Sequence, residues 1–102
     1  MEEIYNDAKT PIFSTREAEV AEYISRGFSE KEIADKLNIS HYTVNNHTRH
    51  IRANNGLSKN SEIIPVYIAH TKGKKFSLRA IKEIGLSTTL VLLNICDYAP
   101  RF

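Results

Sequence analysis

With 102 residues, 41% of them hydrophobic and 25% charged, the chain holds one modest core, and its composition is that of an ordinary soluble globular domain. A formal charge of +2 is too small to mark a nucleic-acid binder by itself. The single cysteine, Cys96, excludes an intramolecular disulfide and is expected to be a buried thiol in a reducing cytosol.

The opening MEEIYNDAKT is acidic and polar, unlike a signal peptide, and residues 1–12 read as a flexible lead-in that stops at Pro11. Ser14 then stands three residues before Glu17, the spacing of a reciprocal capping box, in which each side chain satisfies a free amide of a first helical turn. Val20, Ala21, Ile24 and Phe28 continue one apolar face, and Gly27 supplies a stop. Ser29 and Glu32 repeat the device for a second helix with Ile33, Ala34 and Leu37 inward. NIS is too short for anything but a tight turn. Asn38 tolerates the left-handed conformation such a turn needs, and Ser40 can cap the next helix.

That third helix is predicted over about 41–54, ended by Gly56, and a fourth over about 61–71, its start delayed or bent by Pro65. Lys72–Lys75 reads as a basic solvated loop. Ser77 begins another helix, with Leu78, Ile81 and Ile84 as its apolar side. The run Thr88–Cys96 is far too short to span a bilayer; it is expected to be helical and to pack on the core or form a dimer interface. Two N-x-[ST] matches, at Asn38 and Asn46, carry no weight in a chain expected to be cytoplasmic.

Charge distribution picks out the third helix. Up to Asp35 the chain is rich in Glu, whereas between Asp35 and Glu62 there is no carboxylate. That interval holds Lys36, Arg49, Arg52 and Lys59 with three of the four histidines, a basic patch suited to a polyanion. Two helices joined by about three residues, the second basic and amide-rich, form a helix-turn-helix. Ala34 is small where the helices approach, and Ile39 and Val44 are apolar plugs. With Val44 and Ile51 at the centre of the buried face, a rotation of about 100° per residue turns Tyr42, Asn46, Arg49 and Ala53 the opposite way. Asn45, His50 and Arg52 fall on the flanks. Asn can pair with two atoms of adenine and Arg with two of guanine, and a carboxylate on this face would repel phosphates.

From Ser14 to about Thr71 the residues STREAEV, RGFSEKEIADKLNIS, TVNNHTRHI and NGLSKNSE resemble, in order and spacing, the DNA-binding domain of the LuxR (FixJ/NarL-type) family of bacterial transcription regulators. The resemblance implies an all-α fold, a four-helix helix-turn-helix domain over 13–72; it does not reach residues 73–102, which their own apolar pattern makes a helical extension of unknown role, expected to serve packing or dimerisation. It implies double-stranded DNA as partner, a homodimer built on the fourth helix, and the third helix in the major groove. Base reading would fall on Asn45, Asn46 and Arg49. Phosphate contacts would fall on His41, Tyr42, Thr43 and Lys59, with Lys31, Lys36 and Arg52 as additions. The chain departs from the family pattern at Asn45, usually Lys, at Asn54–Asn55, commonly Lys–Leu, and at Pro65. The receiver or ligand-binding domain that usually precedes the module is not in the sequence, as in an excised fragment or a short regulator.

Blander readings compete. His41, His47 and His50 do not suffice as metal ligands, because no Cys or carboxylate is near in sequence; no metal or cofactor is expected. His47 is expected to pack under the third helix. Glu17 and Glu32 are caps, not catalytic acids, and no phosphate-cradling loop or nucleophile–base pair suggests an enzyme. A sigma-factor-like promoter-recognition module shares the TREAEV…EIADKL pattern but fits TVNNHTRHI less well. The main alternative is an interaction module, an antagonist that keeps the fold and pairs with another regulator instead of DNA. A DNA binder should gather Lys36, Arg49, Arg52 and Lys59 on one face.

Overall fold

The structure, a computed structural model, describes residues 8–84. Residues 1–7, the run Thr88–Cys96 and the expectation for Cys96 lie outside the described residues, as does the side chain of Ile84. In chain order a strand β1 (Ala8–Lys9) precedes α1 (Thr15–Ser25), α2 (Glu30–Leu37) and α3 (His41–Asn55). A 3-10 turn (Asn60–Glu62) leads into α4 (Ile63–Thr71), then β2 (Phe76–Ser77) and α5 (Leu78–Ile84). The architecture is all-α, with a two-residue antiparallel ribbon added.

Local chemistry accounts for the helix boundaries. Ser14 Oγ accepts from the Glu17 amide and Glu17 Oε1 from the Ser14 amide, and Ser29 and Glu32 do the same for α2. At the end of α1 the Phe28 amide reaches the Tyr23 carbonyl and the Gly27 amide that of Ile24. This is a Schellman closure with Gly27 at positive φ, and the Tyr23 and Phe28 rings meet edge-on at 5.3 Å. Asn38 closes α2 in the same way at φ 58. Pro65 falls in the first turn of α4, where its missing N–H has no helical partner to lose, so the helix starts at Ile63 rather than Ser61.

Two clusters make the core. Val20, Ile33, Ala34 and Val44 join α1, α2 and the start of α3. Ala21, Ile51, Ile63, Val66, Phe76 and Ile81 join α1, α3, α4 and the C-terminal elements. α3 therefore runs through both, with Val44, Thr48 and Ile51 fully buried along one stripe.

The lead-in differs from expectation from Ala8 onward. Ala8 and Lys9 pair with Ser77 and Phe76, and Ile12 is tied to the end of α3 by a buried asparagine. Asn55 Oδ1 accepts from the Ile12 amide at 2.8 Å, and its Nδ2 donates to the Ile12 carbonyl at 3.0 Å and the Ile51 carbonyl at 2.8 Å. Leu57, two residues on, is buried in the second cluster. A two-residue bridge carries no alternating pattern, and Asn55 looks like a surface residue in sequence. Neither contact is legible in the chain.

Candidate nucleic-acid interface

α2 and α3 pack through Ile33, Ala34 and Val44, with half-buried Ile39 beneath the turn. Ser40 Oγ accepts from the Thr43 amide at 3.0 Å and caps α3. Because one stripe of α3 is buried, the opposite one is open. Tyr42 is 73% exposed, Arg49, His50 and Ala53 are exposed, and Asn46 is half-buried. The helical phase read from the sequence matches the exposure of Tyr42, Arg49 and Ala53, whereas Asn46 is half-buried like the flanking Asn45 and Arg52. His47 is half-buried and lies beside that stripe.

The supposed absence of a carboxylate from this surface needs correction. α3 has none of its own, but Glu30, the first residue of α2, lays its side chain against it. Glu30 Oε1 accepts from Asn45 Nδ2 at 3.3 Å and lies 3.3 Å from His41 Nε2. Oε2 accepts from Thr48 Oγ1 at 2.9 Å and from Asn60 Nδ2 at 2.7 Å. Burial would raise the Glu30 carboxyl, but the hydrogen bonds from Asn60, Thr48, Asn45 and His41 outweigh it and hold it below the usual carboxylate range. It is therefore ionised at neutral pH.

This cluster sorts the predicted contacts. Asn45 and His41 touch Glu30, and Arg52 donates from Nη1 to Asn60 Oδ1. Asn46, Arg49 and Tyr42 share the outward face, Thr43 sits in the capping turn, and Lys31 and Lys59 are exposed. Lys36 departs from the group. Its ammonium sits 5.4 Å from the centre of the Phe28 ring. It lines a groove with Arg16, Tyr23, Arg26, Tyr67 and His70, to which α3 contributes nothing. Glu30, Thr48 and Asn60 were missed because Glu30 lies 18 and 30 residues from its Oε2 partners. Only the folded chain reveals that proximity.

Across the molecule, Tyr67 donates to Glu22 Oε1 at 2.6 Å. That bond, then one from Arg26, lowers the Glu22 carboxyl, while burial and the same bond push the Tyr67 phenol up to about 12. Glu62 closes the turn before α4. Its Oε1 accepts from the amides of Ser58 at 2.7 Å and Lys59 at 3.3 Å. Burial opposes ionisation of Glu62, yet these bonds and Lys82 hold its carboxyl below the usual range. Among the described residues no helix is long and apolar enough to cross a membrane, and no group of three or more His, Cys, Asp or Glu is placed to hold a metal ion.

Fold and geometry together define a helix-turn-helix domain, α2 and α3, with one stripe of α3 buried and the opposite one exposed at Tyr42 and Arg49. The profile of the luxR family of bacterial regulatory proteins matches residues 11–65, and the chain belongs to that family. It is similar to the oxygen regulatory protein NreC of Staphylococcus aureus strains JH9, JH1 and Mu3, each 42% identical over 53 residues. The matched segment is 52% of this chain and 24% of each relative, so the chain spans about a quarter of their length. No solved structure matches the chain at a significant level.

Proposed function

We propose that the protein is a sequence-specific, DNA-binding transcription regulator of the cytoplasm and not an enzyme. Its α3 enters the major groove, and it acts as a homodimer with half-sites about ten base pairs apart. Asn45, Asn46 and Arg49 read bases. Lys31, His41, Tyr42, Thr43, Arg52 and Lys59 meet phosphates, which makes affinity salt-sensitive, with Lys36 as an outlying contact. The observation that carries the reading is the outward stripe of α3, where Tyr42 and Arg49 are exposed on a helix whose opposite stripe is fully buried. Membership of a family of bacterial regulatory proteins supports it.

One observation favours a second reading, an antagonist that pairs with another regulator. The four cations of the predicted patch do not share one face: Lys36 lines a groove to which α3 contributes nothing. Selection of the purified chain against random duplex DNA at moderate salt separates the two. A recovered two-fold-symmetric motif supports the dimeric DNA reader. No enrichment by a folded protein supports the antagonist.

A further inference from the structure

We propose that Glu30 is the positioning residue of the DNA-reading face: its carboxylate fixes which way the Asn45 amide points and, through Asn60, where the Arg52 guanidinium sits. The inference rests on the DNA-binding reading above and deepens it.

An ionised carboxylate only accepts hydrogen bonds, so an asparagine against it must present its amide nitrogen. Glu30 therefore sets the orientation of two asparagines at once. Its two oxygens divide the work. Oε2 takes the shorter bonds, 2.7 Å from Asn60 and 2.9 Å from buried Thr48, whose single hydroxyl proton it shares with the Asn45 carbonyl at 2.9 Å, and these anchor the carboxylate between α3 and the 3-10 turn. Oε1, thereby aimed along the face of α3, takes one N–H of Asn45 at 3.3 Å and stands 3.3 Å from His41.

Asn45 is left with one N–H and its Oδ1, the donor–acceptor pair that adenine's N7 and N6 groups require. Asn60, its nitrogen committed to Glu30, turns Oδ1 to Arg52 Nη1. One carboxylate on α2 thus organises a base reader and a phosphate contact on α3. Its negative charge near the DNA backbone lowers affinity for every sequence, while the fixed amide raises discrimination between sequences.

That opposition supplies the test. Glu30→Gln keeps the shape but offers both a donor and an acceptor, so neither asparagine is held to one orientation. Dissociation constants would be measured for the parent's selected site, its single-base variants and an unrelated duplex. The expected result is that discrimination at one base pair falls about fivefold or more, while the unrelated duplex is bound as tightly or more tightly. Unchanged discrimination at every position would overturn the proposal. So would an equal loss on all duplexes, which would make the carboxylate merely structural. A parent that selects no sequence overturns the DNA reading itself, and this inference with it. A parent and a Glu30→Gln variant that select the same motif remove only Glu30's role.

Should the variant not fold, 15N relaxation of side-chain amides in the parent serves in its place. Asn45 and Asn60 should be nearly as rigid as the backbone, against exposed Asn54 as the mobile control. Mobility of Asn45 equal to that of Asn54 would overturn the proposal.

Discussion

The dipeptide Asn-Asn occurs twice on α3, at Asn45–Asn46 and Asn54–Asn55, and the two copies do opposite things. Nine residues separate them, about half a turn out of phase at 100° per residue. Asn46 consequently lies half-buried on the outward stripe, whereas Asn55 is 3% exposed and spends its whole amide on the backbone of Ile12 and Ile51. Asn45 meets a charged side chain from α2, and Asn54 meets solvent. Residue type sets what an amide can do; phase and neighbours decide which of these it does.

The contrast between the pairs should be widest in stability, at Asn55. Asn55→Ala deletes three hydrogen bonds made by a buried amide and should cost roughly 2–3 kcal/mol, read as a lowered urea midpoint. Asn54→Ala should stay within about 0.5 kcal/mol. Equal effects would mean that the burial of Asn55 carries no energetic weight. Next comes Gly56→Ala, just beyond the second pair. Gly56 sits at φ 74, and an added Cβ would come 3.2 Å from Leu78 Cδ2, so a loss of about 1–2 kcal/mol is expected in the same assay.

Acid separates the two pairs, because the first leans on a titrating group and the second on backbone. Glu30, Glu62 and Glu22 all have folded carboxyl values below the ordinary 4.5. Their contribution is present above that value and is lost as pH falls through the lower folded ones. The urea midpoint should therefore drop on acidification below about pH 4.5. The side-chain amide signals of Asn45 should move over that range while those of Asn55 stay. At the other extreme, Tyr67 is raised from 10.0 to about 12, so its contribution is complete below 10 and fades as pH climbs toward 12. A midpoint flat across both windows would contradict these assignments. The smallest effect belongs to Lys59→Ala, which should weaken binding to all sequences alike and reduce the salt slope by about 1.

Much of this is legible in the chain because it is local. Ser14–Glu17 and Ser29–Glu32 lie within one turn, Asn38 and Gly56 announce their left-handed closures, and the period of Val44 and Ile51 gives the phase of α3. Of the candidate site, what is legible is exposure where phase alone decides, at Tyr42 and Arg49. Glu30, Asn60 and the Ile12–Asn55 tether join residues far apart in sequence, and nothing within one turn of any of them signals a partner. A carboxylate can be absent from a segment and still lie against it.

If the open stripe of α3 reads base pairs, Arg49, exposed on that stripe, is the residue whose loss should show it. Binding of the parent and of Arg49→Ala should be compared on a selected site and on a scrambled duplex at one salt concentration. A loss of roughly 1–3 kcal/mol on the selected site, with preference relaxed at one position and the scrambled duplex much less affected, is the predicted result. Identical sequence preference in the two proteins would contradict it.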